Sequence, residues 1–210
     1  ADGWPASFPG LPFRLHGVRP PSRQVPRIGQ HNGQLRAAKA APAPPPEAIF
    51  TVSASAARAR PLAGLRVLDF SWVLAGPYVT RILADFGAEV IKVQSLRSAR
   101  HLDANHAAYF DMWNRNKRSL ALDMSYPQAR TIALDLTREC DVVVENFSPR
   151  VMANWGLGYP ELRAVNPRLI LLSLSAVGQT GPWRDYVAFG PALQALAGIT
   201  QQAANTSQPA

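Results

Sequence analysis

Arg66-Val67-Leu68-Asp69-Phe70, then Gly76-Pro77, then Tyr78 to Phe86 with Val79, Ile82, Leu83 and Phe86 at helical spacing, then Gly87 and Glu89-Val90-Ile91-Lys92-Val93, form the stretch that decides the fold. A short apolar run, a 3.6-residue pattern and a second short apolar run make a strand, helix and strand crossover, the connection that parallel strands require. Gly87 is predicted to close the helix as its C′ residue. After a polar loop from Ser95 to about His106, Ser119 to Leu122 reads as a third, short strand. Pro127 suits the first turn of a helix running through Cys140, with Ile132, Leu134 and Leu136 among its apolar residues. Asp141-Val142-Val143-Val144-Glu145-Asn146-Phe147 is apolar at successive positions, which predicts a strand buried on both faces. Ser148-Pro149 is read as an N-cap and N1 pair opening another helix, Arg168 to Leu174 as the last clear strand, and Pro191 to Ile199 as the final helix. Strands alternating with helices predict an α/β fold with a doubly wound, mostly parallel sheet.

Outside this body the texture changes. Residues 1–60 hold 10 of the 19 prolines, including Pro42 and Pro44-Pro45-Pro46, and no apolar period. Such a segment cannot offset its ordering entropy by burial, so it is expected to be a disordered Pro- and Arg-rich extension or linker. A mitochondrial transit peptide and a basic nucleic-acid arm are the competing readings. The expected organisation is an extension over 1–60, a domain over 61–200 and a polar tail over 201–210. The formal charge of +8 belongs mostly to the extension, where eight Arg and Lys face only Asp2 and Glu47. The remainder is nearly balanced, so the charge argues for no nucleic-acid partner. No run of 18 apolar residues exists, which argues against a membrane span. The single cysteine, Cys140, excludes an intrachain disulfide and fits a reducing compartment.

In an open parallel sheet ligands bind beyond the carboxyl ends of the strands. The first and fourth strand candidates are followed by Ser71-Trp72-Val73-Leu74-Ala75-Gly76-Pro77 and by Asn146-Phe147-Ser148-Pro149, and the fifth by Gly178-Gln179-Thr180-Gly181-Pro182. The first strand is followed by one glycine, Gly76, so G-x-G-x-x-G is absent, as are the P-loop and the G-x-S-x-G elbow. His16, His31, His101 and His106 read as solvated histidines, with Asp103 the one carboxylate placed to join the last two, and no metal site is expected. Asn114-Arg115-Asn116-Lys117-Arg118-Ser119 concentrates donors suited to phosphate, although a solvated loop has the same composition. Asp69 and Glu145, at strand ends, are the carboxylates available for covalent chemistry, and both equally suit local N–H acceptance.

From residue 61 to about 200 the sequence resembles the class III CoA-transferases, whose relatives include formyl-CoA transferase, carnitine CoA-transferases and α-methylacyl-CoA racemase. The resemblance rests on Pro61-Leu62-Ala63-Gly64-Leu65-Arg66-Val67-Leu68-Asp69-Phe70, Ala75-Gly76-Pro77, Leu83-Ala84-Asp85-Phe86-Gly87-Ala88-Glu89-Val90-Ile91-Lys92-Val93, Asn116-Lys117-Arg118-Ser119-Leu120, Asp141 to Phe147, Gly156-Leu157-Gly158-Tyr159, Asn166-Pro167-Arg168-Leu169-Ile170 and Gly178 to Pro182. It implies the amino-terminal part of a Rossmann-like large domain and transfer of CoA between an acyl-CoA and a carboxylic acid. CoA is then substrate rather than a bound cofactor.

Carried over by position, the resemblance implies that Val73 and Ala75 line the CoA site, that Lys117 and Arg118 meet its phosphates, and that Asn146 and Phe147 hold its pantetheine and adenine side. Leu74 departs from relatives with Gln there, and Gln94 from those with Glu. The attacking Asp of the family lies downstream of the block matched by Gln194-Ala195-Leu196-Ala197-Gly198, so no catalytic residue is assigned within this sequence. Racemase relatives use a His-Asp pair where Phe189 and Gly190 stand, which favours transfer over racemisation. An interlocked homodimer and a cytoplasmic setting, with the mitochondrial matrix as the alternative, complete what the resemblance implies. The competing function is a CoA-binding or assembly fragment that does not turn over.

Overall fold

Among the described residues, β-branched and leucine-rich runs separated by helical patterns build one sheet of five strands, all parallel. The computed structural model describes residues 26–34, 60–95 and 110–203. The strands are β1 (Arg66–Asp69), β2 (Glu89–Gln94), β3 (Arg118–Ala121), β4 (Val142–Glu145) and β5 (Ile170–Ser173), and their spatial order is β3-β2-β1-β4-β5. Register aligns Leu68 with Ile91 and with Val143, so the central strands stack residue against residue.

The two-residue period of a strand sends neighbouring side chains to opposite faces, and here both faces are apolar. Leu68, Ile91, Leu120 and Val143 join Ala129, Ala133, Met152, Leu157 and Leu162 in the larger core. That core is covered by the helices α2 (Pro127–Thr137), α3 (Arg150–Asn154) and α4 (Tyr159–Val165). Val67, Val90 and Val144 point the other way, against Ala84 and Leu83 of α1 (Ala75–Asp85). Helices on both faces confirm the doubly wound reading.

Local chemistry explains the boundaries. Gly87 has φ +109, and it and Ala88 donate to the carbonyls of Ala84 and Leu83 at 3.0 Å each, the paired bonds of a Schellman stop. α1 starts at Ala75, before the expected Tyr78, because Tyr78 N–H already bonds Leu74 O at 3.0 Å. α2 ends at Thr137, short of Cys140. Asn166 secures the following turn by donating its amide to Thr137 O and Cys140 O at 3.0 and 2.7 Å.

The Ser148-Pro149 expectation needs correction. Pro149, with φ −50 and ψ −30, is itself the N-cap, no side chain caps the helix, and Ser148 contributes only its carbonyl to Val151 N–H at 3.0 Å. The expected final helix is also divided: Gly198, at φ +73, separates α5 (Gly190–Leu196) from α6 (Ile199–Ala203). α4 and the helical turn at 110–114 had no sequence expectation. Residues 26–34, expected to be unstructured, pack along β3 through hydrogen bonds, a mode of ordering that hydrophobic pattern cannot reveal. The rest of the extension apart from Arg60, and the pair His101 and His106 with Asp103, lie outside the described residues.

A methyl group at Gly87 would stand 2.8 Å from Arg60 Cβ while the backbone stayed left-handed. Gly87→Ala should therefore lower unfolding stability by about 1–3 kcal/mol with the denaturant slope unchanged, measured by circular dichroism in urea.

Candidate functional site

Chain order reverses between β1 and β4, and at such a reversal the segments after the two strands part to leave a crevice. Residues 70–74 follow β1 and residues 146–149 follow β4. Asn146 ties the two segments: its Oδ1 accepts from Trp72 N–H at 2.8 Å and its Nδ2 donates to Trp72 O at 2.8 Å. Phe70 N–H completes the seam on Val144 O at 2.9 Å. Gly76 is required by close approach, since a Cβ there would fall 2.2 Å from Ser71 Cβ. Between these constraints Val73 takes φ +61, a left-handed conformation that is unfavourable for a β-branched residue, and its side chain is 57% exposed at the rim. Ala75 is exposed beside it, at the start of α1. Phe147 sits half-buried, edge-on to Trp155 with ring centres 5.2 Å apart.

Beneath the rim lies a buried polar cluster. Asp69 shares strand parity with Val67 and so points toward α1, where Thr80 meets it: Thr80 Oγ1 donates to Asp69 Oδ2 at 2.6 Å. Lys117 Nζ lies 3.0 Å from the same oxygen, and donates also to Pro77 O and Asn114 Oδ1 at 3.0 Å each and Thr80 Oγ1 at 2.7 Å. Asp69 Oδ1 accepts from Ser71 N–H at 2.9 Å and from the Ser71 hydroxyl. Lys92, aligned with Asp69 on β2, has Nζ 3.7 Å from Oδ1 and donates to Ser71 O. Burial pushes the Asp69 carboxyl upward, but the ammoniums of Lys117 and Lys92 and the two hydroxyls outweigh it and hold it well below the usual carboxylate range. Burial lowers Lys117 to about 8 against the opposing pull of Asp69, with Lys92 adding repulsion.

The basic run before β3 is engaged with carboxylates of the chain itself. Asn114 and Lys117 are spent on the cluster just described. Arg115 Nη2 and Asn116 Nδ2 reach the two oxygens of Asp85 on α1, at 2.8 and 2.5 Å. Arg118 opens β3, level with Ile91 of β2, and its guanidinium reaches back to pair Nη1 with Glu89 Oε1 at 2.7 Å. Glu89 is the first residue of β2, so the Arg118 guanidinium is directed toward the amino end of that strand, away from the carboxyl ends where the crevice lies. Lys117 is buried and paired with Asp69 beneath the rim.

Both strand-end carboxylates serve local amides. Glu145 is buried and accepts from Phe147 N–H at 2.8 Å, as Asp69 does from Ser71. Cys140 is buried in the core and burial pushes its thiol up to about 12, which removes it as a nucleophile. Among the described residues no group of His, Cys, Asp or Glu could hold a metal ion, and no helix is long and apolar enough to cross a membrane. Sequence reasoning missed Thr80, Ser71 and Lys92. Its available signal was Lys92 itself, an ammonium inside a strand otherwise apolar on both faces, which demands a buried anionic partner.

Five parallel strands in this order, with a pinned rim at the reversal, define a doubly wound α/β protein. Residues 62–210 match the family described as CoA-transferase family III, and the chain belongs to that family. It is 42% identical over 147 residues to succinyl-CoA–D-citramalate CoA-transferase of Chloroflexus aurantiacus, which covers 67% of this chain and 37% of that protein. It is 38% identical over 155 residues to succinate–glutarate CoA-transferase of Agrobacterium fabrum, covering 68% and 39%. A crystal structure of a CaiB/BaiF family protein from Brucella suis superimposes with TM-score 0.63 at 37% identity, covering 67% of this chain and 40% of that one. The chain spans less than two fifths of the length of these curated relatives.

Lys117→Met leaves Asp69 buried with a weaker set of partners and should cost about 3–5 kcal/mol of stability. Adding Asp69→Asn to that variant should recover part of the loss, because the uncompensated charge is then gone. Chemical unfolding of the two single variants and the double variant measures this. Because the carboxyl is held below its ordinary value, its contribution is complete above the unfolded value of 3.8 and is lost as pH falls through the folded one.

Proposed function

We propose that the whole protein transfers CoA between an acyl-CoA thioester and a carboxylic acid, and that these residues supply a wall of the CoA site. The observation that carries the reading is the reciprocal bond between Asn146 and the Trp72 backbone, which fixes Val73 in its left-handed conformation at the strand reversal. Val73 and Ala75 would line the thioester-bearing arm, with Asn146 and Phe147 on its other side. The first turn of α1 offers backbone amides at the same rim, the donor type that suits phosphate. Asp69 and Lys117, both buried, hold the floor of this wall. Transfer in this family scheme passes through a covalent carboxylate intermediate, which divides one difficult exchange into two acyl transfers.

The acceptor acid, the interlocked homodimer and a cytoplasmic setting belong to the same proposal. An assembly role for these residues has its own support. α5 and α6 bury no residue, and Trp183, Tyr186, Val187, Phe189, Leu196 and Ile199 are exposed in and before them. Apolar surface of that extent suits coverage by further protein.

Calorimetric titration of the chain with CoA tests the binding wall. Asn146→Ala frees both Trp72 backbone groups and should weaken CoA about tenfold, equivalent to ~1.4 kcal/mol. Arg118→Ala should leave affinity unchanged. Equal affinities for wild type and Asn146→Ala would remove this rim from the site.

A further inference from the structure

Among the described residues β3 is an edge strand of the five-stranded sheet, paired with β2 on one side. Leu122 N–H, just past the strand, donates to Gln94 O of β2 at 2.8 Å. Alternation then turns the amides of Ser119 and Ala121 away from the sheet. Both are nevertheless bonded, and to side chains almost ninety residues earlier. Ser119 N–H donates to His31 Nδ1 at 3.1 Å, and Ala121 N–H donates to Asn32 Oδ1 at 3.1 Å. His31 N–H returns to Ser119 O at 3.2 Å, and Gly29 N–H reaches Ser119 Oγ at 3.0 Å. The segment folds back on itself to do this, with Gly29 at φ +73 and Asn32 N–H on Gly29 O at 3.0 Å. It lies ahead of the family-matched residues, which begin at 62.

We propose that residues 26–34 are a clasp in cis that closes the open edge of β3 and releases it when His31 takes up a proton. Nδ1 can accept from Ser119 only through a free lone pair, and protonation replaces that lone pair with a second N–H facing the first. Of the charged groups around it, Arg118 faces His31 from β3, and Glu89 of β2 holds the Arg118 guanidinium. Arg27 belongs to the clasp and has its N–H on Gln30 Oε1 at 2.8 Å. Burial, and then Arg118, push the imidazole below its ordinary 6.5. The clasp is therefore fully closed above that value and weakens as pH falls through the lowered one. Opening bares two amides and a carbonyl on a free strand edge, a template for pairing with a second copy of this chain.

Site-resolved amide hydrogen exchange on the full chain, expressed as protection factors, reads the clasp directly. In the wild type the Ser119 amide should lose roughly tenfold protection between about pH 7.5 and 5.5, while Leu120, bonded within the sheet, stays level. His31→Gln keeps an acceptor oxygen that does not titrate, and should hold Ser119 protection constant with pH. Asn32→Ala should deprotect Ala121 at every pH. An unprotected Ser119 amide at high pH would overturn the clasp. A level wild-type profile, or an equal loss in His31→Gln, would overturn the release by protonation.

Discussion

A buried carboxylate is the constraint on which the rest of this structure depends. Asp69 ends β1 with no exposed surface, and a charge there is tolerable only if every lone pair is used. One ammonium, two hydroxyls and one amide use them while a second ammonium stands 3.7 Å away, and each partner residue arrives from a different element: Lys92 from β2, Thr80 from α1, Lys117 from the segment before β3, Ser71 from the loop that follows. Satisfying one side chain therefore fixes how α1 sits on the sheet and where the rim begins. Lys117 and Thr80 meet over the same oxygen, so the tilt of α1 and the path into β3 are coupled through a single atom.

The rim inherits that rigidity. Ser71 is held from below by Asp69 and Trp72 from the side by Asn146, which leaves Val73 no relaxed conformation. Strain at an exposed residue on a strand reversal is sustained only where the surroundings over-determine it. The neighbouring Gly76 has the same origin, since the space a Cβ would occupy belongs to Ser71.

Charge is organised so that little of it is free near the site. The run from Asn114 to Arg118 divides its donors between Asp69, Asp85 and Glu89, three carboxylates on three elements. Arg66 continues the outer part of this network, binding Glu89 and Glu139 at 2.9 Å each beneath the amino ends of the strands. The basic residues near β3 are thus part of its anchoring, and Arg118 also faces the imidazole that covers the strand's outer edge.

The sequence by itself determined the strand, helix and strand alternation, the burial of both sheet faces and the Gly87 stop, because these follow from periods of two and 3.6 residues and from backbone sterics. The blocks resembling CoA-transferases were equally legible, since they are contiguous residues in a fixed order. Tertiary structure alone decided the fate of Lys117 and Arg118. They are adjacent in the chain and chemically alike, yet one ammonium turns inward to Asp69 while its neighbour pairs with Glu89 at the far end of the sheet. It also decided that residues 26–34 cover β3, through bonds between groups almost ninety residues apart. Local pattern carries burial because burial repeats along an element, whereas the partner of a charge or of a free amide is set by which elements pack together.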